Sequence, residues 1–113
     1  MDHHHTQDDL RGPARELRSE IPEVMAAFAA LSRTAMAEGS LDQKTKELIA
    51  LAIAITRECD GCVAAHARGA ARRGASRAEV AEMVGVAVLM NGGPATVWGP
   101  RALEAFDQFS DES

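Results

Sequence analysis

Residues 48–55 read LIALAIAI, eight apolar side chains in a row. A helix that is apolar all round must be surrounded by protein, and a chain of 113 residues holds one domain in which to do it. The segment therefore predicts either the middle of a helical bundle or a subunit interface. A buried strand is the competing reading of such a run. The capping box read in Ser40 with Gln43, the Lys44–Lys46 lead-in and the alanine content of the run favour a helix. Only 4% of residues are aromatic, with one Trp, three Phe and no Tyr. The interior must then be built from Ala, Leu, Ile, Val and Met, which suits close helix packing.

The rest of the chain divides into helices on either side of that run. An amphipathic stretch over about Gln7 to Arg18 should end before Pro22, which disfavours helix at Ile21. Pro22 can open a second helix that runs to about Glu38 and stops at Gly39. After the apolar segment, Asp60 can cap a helix ending near Gly74. Ser76 with Glu79 forms a second capping box and opens a helix that is apolar at Val80, Met83, Val84, Ala87, Val88 and Leu89. Asn91-Gly92-Gly93 stops it. Pro94 can begin a last helix through Trp98 to Phe109, which Gly99-Pro100 should kink or interrupt. The expected architecture is all-α, a compact bundle of about five or six helices in one domain over 1–113. Residues 1–6, with His3, His4 and His5, read as a mobile polar arm, and 110–113 as a frayed tail.

Charge narrows the function. A formal net charge of −5 and a pI near 5.3 argue against nucleic acid as partner, since backbone phosphates need a basic face. Arg72-Arg73 reads as a solvated helix face. No apolar run approaches the ~18 residues of a membrane span, and no charged-then-apolar leader opens the chain. The expected compartment is the cytoplasm, where two cysteines point to redox, sensing or metal chemistry rather than to a disulfide scaffold.

Those two cysteines form Cys59-Asp60-Gly61-Cys62, a C-x-x-C motif, with His66 four residues beyond Cys62. The motif admits a redox dithiol, half of a metal site, or two inert core thiols. Its spacing lets the sulfurs close a small disulfide, and a helix start lowers a thiol pKa through free N–H groups and the helix dipole. On a helix, positions i and i+4 share a face, so His66 can meet Cys62 and take its proton. Cys62 is accordingly read as the nucleophile and Cys59 as the resolving or exchanging thiol. A carboxylate would orient the imidazole; Glu47 and Glu58 are nearest in sequence.

Glu47, eleven intervening residues, then Cys59-x-x-Cys62-x-x-x-His66 resembles the signature of the alkyl hydroperoxidase D-like branch of the carboxymuconolactone decarboxylase family. The resemblance runs from about Leu41 through Gly74 and Ser76 to Glu82, and weakly to GGPATVWGPRAL. It implies an all-helical fold assembled as trimers or hexamers, and a thiol-dependent peroxidase or disulfide reductase activity. It implies further that Cys62 attacks peroxide, that Cys59 exchanges with a partner, and that His66 and Glu47 relay the proton. The sequence departs from the best-studied members at Gly61, where they carry a second histidine. The decarboxylase branch works on a lactone without the C-x-x-C, so paired thiols count against that activity here. Geometry gives Glu47 less support. In straight helices it would sit about 18 Å back from Cys59 and His66 only about 10 Å beyond it. A plain hairpin leaves the two out of register, so the helix must bend or end early, or the carboxylate must come from elsewhere in the assembly.

A rival reading makes Cys59, Cys62 and His66 ligands of a metal-binding module, with a fourth ligand from Glu47, a neighbouring subunit or the His3–His5 arm. The favoured reading needs no organic cofactor or metal. It calls for a hydroperoxide or disulfide substrate, a thiol reductant or protein redox partner, and a homotrimer or homohexamer. The methionines Met25, Met36, Met83 and Met90 read as core fillers, and Trp98 as a helix–helix or subunit contact. Asn91-Gly92-Gly93 lacks the Lys-Ser/Thr of a phosphate loop.

Overall fold

Residues 1–111 are described by the computed structural model, and the apolar run at 48–55 lies within a helix. The described residues form α1 (His3–Glu20), α2 (Pro22–Met36), α3 (Gln43–Arg57), α4 (Asp60–Arg72), α5 (Arg77–Asn91) and α6 (Ala95–Ser110), with no strand among them. Helix α4 lies at the centre, packed against α3, α6 and α1, while α5 closes over α3 and α6. The core is small and aliphatic, as the composition requires. Leu51, Ile55, Val63 and Val80 are its largest fully buried apolar side chains, with alanines from α3, α4, α5 and α6 between them and Phe106 and Phe109 at one end.

The local chemistry explains most boundaries. Ser76 accepts the Glu79 N–H at 3.0 Å while Glu79 Oε1 accepts the Ser76 N–H at 2.8 Å, so the capping box of α5 is complete. Gly92 ends that helix at φ 68°, a left-handed value that glycine adopts without a Cβ penalty. Pro22 opens α2 as its first residue.

Four expectations are corrected. Helix α3 is capped by Asp42, not by a Ser40–Gln43 box: its carboxylate accepts the Thr45 N–H at 2.7 Å, and Glu38 Oε2 accepts the Gln43 N–H at 2.9 Å. A carboxylate nearer the helix start is the stronger acceptor. Helix α4 is capped by Cys59, not Asp60. Helix α6 runs unbroken through Gly99 and Pro100. Packing holds it, because Ala95, Gly99, Ala102 and Phe106 are buried along its inner face on both sides of the one hydrogen bond that proline removes. Finally, residues 3–6 belong to α1, and His3 and His4 dock on α6 instead of forming part of a loose arm. His3 is 1% exposed; its N–H donates to Gln108 Oε1 at 2.9 Å and its Nε2 lies 3.3 Å from Glu104 Oε1. The His4 ring stacks at a tilt on Phe109, 4.5 Å between centroids. Of the expected frayed tail, Ser110 completes α6, Asp111 follows it, and the last two positions lie outside the described residues.

The apolar run is enclosed on one side only. Leu51, Ala54 and Ile55 are buried, whereas Ile49 and Ile53 face outward. Helix α2 leans away from the bundle, touching only α1 and α3, and shows Val24, Phe28 and Leu31 at 61%, 64% and 63% exposure. Their i, i+4, i+7 spacing makes one continuous apolar stripe. The radius of gyration, 14.3 Å, exceeds the ~13 Å of a compact chain this long, as an outlying helix would cause.

Candidate active site

The turn between α3 and α4 sets up the site. Glu58, at φ 54° and ψ 44°, caps α3 in the left-handed conformation, and Cys59 turns extended to start α4. The Cys59 sulfur accepts the Cys62 N–H at 3.2 Å, filling the place a serine or aspartate cap would take. Asp60 Oδ1 accepts the Gly61 N–H at 2.7 Å. The two sulfurs are joined in a disulfide, with the Cα atoms 5.2 Å apart. Spacing at a helix start thus does what the motif predicts. Cys62 is the more exposed of the pair and Cys59 is half-buried.

His66 lies one turn further along α4. Its Nδ1 is 2.9 Å from Glu47 Oε2, within one chain. A carboxylate only accepts, so Nδ1 carries the hydrogen and the neutral ring keeps Nε2 as its proton acceptor. Glu47 is 15% exposed and His66 34%, so the pair is shielded but reachable. Cys62 and His66 line one cavity of about 240 Å³ with Ala50, Ile53, Ala54 and Arg57. Its wall is apolar apart from the Arg57 guanidinium, the Cys62 sulfur and the His66 ring.

The mismatch at Glu47 resolves within one chain. Glu47 stands ten residues before Arg57, about 15 Å at 1.5 Å per residue, and Gly69 stands nine residues after Asp60, about 14 Å. Glu47 is therefore level with Gly69, where its carboxyl group lies against the helix, and reaches one turn back to His66. Glu58, the other carboxylate considered, serves as the α3 cap. Sequence reasoning missed Arg57 and Gly69. A basic residue in the last turn of a helix reads as dipole compensation. A glycine inside an alanine-rich helix is a usable signal, since it costs helix stability unless something needs the space.

Other candidate residues fall away from this cluster. His3 and His4 are held against α6. Among the described residues no three His, Cys, Asp or Glu side chains group as a metal site. Among the described residues no helix is long and apolar enough to cross a membrane. At Gly61 the space for a side chain is limited: a Cβ there would come 3.1 Å from Leu10 Cδ1, because α1 lies over the start of α4. Trp98 packs on the core with the Arg101 guanidinium 4.6 Å above its ring.

The model of the carboxymuconolactone decarboxylase family matches residues 22–106, all of α2 to α5 and most of α6. The chain belongs to this family. A solved carboxymuconolactone decarboxylase family protein of Legionella pneumophila, in its apo form, superposes with a TM-score of 0.92 at 41% identity over 96% of each chain. That match takes in α1, which the family model leaves out. Uncharacterized proteins of Haemophilus influenzae and Cupriavidus necator are 45% identical over 91 residues and 40% over 86, covering 80% and 76% of each chain. An uncharacterized protein from the cox locus of Paracoccus denitrificans is 40% identical over 82 residues, 73% of this chain and 74% of its own. The all-α architecture is thus that of the carboxymuconolactone decarboxylase family.

Proposed function

We propose that this carboxymuconolactone decarboxylase family chain is a thiol-dependent hydroperoxide reductase of the alkyl hydroperoxidase D-like kind, working in the cytoplasm as a homotrimer or homohexamer. The observation that carries the reading is a Cys59–Cys62 disulfide beside an imidazole that a carboxylate holds at 2.9 Å, on one shared pocket.

In the reduced protein, His66 Nε2 takes the Cys62 proton and Glu47 stabilises the imidazolium that results. The Cys62 thiolate attacks the outer oxygen of a hydroperoxide, the O–O bond breaks, and the leaving alkoxide takes a proton from His66 as alcohol. Cys62 is now a sulfenic acid. The Cys59 thiol attacks its sulfur, water leaves, and the disulfide forms. An external dithiol or redox protein then reduces the disulfide and becomes a disulfide itself. Cys62 takes the attacking role because it is exposed on the pocket, while Cys59 is engaged at the helix cap. The walls of Ala50, Ile53 and Ala54 suit an organic hydroperoxide better than hydrogen peroxide, with Arg57 beside it for an anionic group. The same pair would also serve disulfide exchange with a substrate disulfide. Lactone decarboxylation is disfavoured, since it would leave the paired thiols without a role. The apolar stripe of α2 and the open side of α3 support self-association.

Steady-state consumption of cumene hydroperoxide, driven by dithiothreitol, tests the reading. Wild type should turn over, and Cys62→Ser should be inactive. His66→Ala should be slowed most near neutral pH. Equal peroxide consumption by wild type and Cys62→Ser would end the proposal.

A further inference from the structure

We infer that Gly69 is a positioning residue for the proton relay: it leaves bare the patch of α4 on which the Glu47 carboxylate is seated, and so fixes that carboxylate against His66. The inference rests on the proposed thiol chemistry only for its consequence, not for its geometry.

A Cβ at Gly69 would fall 2.6 Å from Glu47 Oε1 and closer still to Cδ and Oε2. All three of its nearest neighbours belong to the carboxyl group, and none to the α3 backbone. The contact that excludes a Cβ is therefore first with the carboxyl group, not with the α3 backbone. Nor does its own backbone call for glycine, since only Gly74 and Gly92 among the glycines have positive φ. Gly69 and His66 are three residues apart on α4, hence on one face. A carboxyl group placed on Gly69 is thus carried to the level where Oε2 can accept from His66 Nδ1 at 2.9 Å. A methyl group at 69 would displace it. Glutamate is flexible enough to move, but the place it would leave is the one that orients the imidazole. Alanine suits a helix interior better than glycine, so Gly69→Ala should keep α4 intact while unseating its neighbour.

Two measurements separate this from ordinary packing. The first is the nitrogen–proton NMR signature of the His66 ring in the oxidised protein, which needs no activity. In Gly69→Ala it should move to the pattern of Glu47→Gln, with loss of the Nδ1–H donated to a carboxylate. A ring signature identical to wild type would overturn the inference. The second is a thermodynamic cycle. Gly69→Ala should lower the melting temperature in the wild-type background and raise it in a Glu47→Ala background, where the carboxyl group is gone and the helix preference for alanine remains. Additive effects would overturn the inference, even if one single variant proved too unstable for spectroscopy. In the reduced Cys59→Ser protein, Gly69→Ala should slow Cys62 alkylation at neutral pH by the factor seen for Glu47→Gln. Should the ring signature shift while wild type consumes no peroxide, the seating of Glu47 stands and the peroxidase reading fails.

Discussion

Replacing Glu47 by glutamine removes one charge and almost no volume, so it isolates the electrostatic part of the relay. In the wild type the carboxylate accepts from His66 Nδ1 at 2.9 Å. On the proposed relay an imidazolium forms when Cys62 gives up its proton, and the carboxylate faces that charge. Unit charges about 4 Å apart interact by about 1 kcal/mol in water and about 4 kcal/mol at an effective dielectric constant of 20. With Glu47 15% and His66 34% exposed, the pair lies between those limits. The net value of a hydrogen bond to a charged group, about 1.5–3 kcal/mol, falls in the same range. Taking about 2 kcal/mol, the thiolate–imidazolium pair should become about 30-fold less populated, since 1.36 kcal/mol is tenfold. The assay is the rate of iodoacetamide alkylation of Cys62 against pH in a Cys59→Ser background. Glu47→Gln should lower the rate at neutral pH and carry the half-maximal point upward, toward the ~8.5 of a free thiol. A curve that superposes on wild type would refute the relay, and His66→Ala should reproduce the shift. Loss of folding is not a confounder, because far-UV circular dichroism of the same sample reports it.

Other consequences follow from packing and burial. A Cβ at Gly99 would come 2.6 Å from Val84 Cγ1, so Gly99→Ala should overpack the α5–α6 contact and cost about 1–2 kcal/mol. Gly85 meets nothing within 4 Å, and there the same substitution should stabilise by roughly 0.5–1 kcal/mol; urea titration of both variants reads the sign. Burial holds His3 below its ordinary value of 6.5, although hydrogen bonding to Glu104 pulls the other way. The unfolded chain therefore binds that proton more readily, so the contribution of His3 is complete above 6.5 and lost as the pH falls below it. Hydrogen exchange in the first turn of α1 should accelerate between about pH 7 and pH 5.5 in wild type, beyond the intrinsic pH effect, and not in His3→Asn. Leu31→Asp places a charge in the exposed stripe of Val24, Phe28 and Leu31. Light scattering should then report a smaller assembly than wild type, and an unchanged mass would remove α2 from the interface.

The helices were legible where their signals are local. The Ser76–Glu79 box, the Gly92 stop and the Pro22 start depend on neighbours within four residues, and the structure has each of them. The C-x-x-C disulfide was legible for the same reason. What failed depended on other elements. Residues 1–6 look like a polar arm until Glu104 and Gln108 of α6 supply His3 with partners 101 and 105 residues away. Pro100 reads as a break until buried alanines on either side hold α6 together. Glu47 could be joined to His66 by resemblance but not by counting, because the count runs to Gly69 and only a bare α4 surface there closes the remaining gap.

The most direct measurement is intact mass after one equivalent of cumene hydroperoxide is added to the fully reduced protein. Wild type should lose two hydrogens as Cys59 and Cys62 join, and Cys59→Ser should stop one oxygen heavier, as a Cys62 sulfenic acid that dimedone traps. Oxygen retained on Cys59 in a Cys62→Ser variant, or a wild-type mass that does not change, would contradict the account.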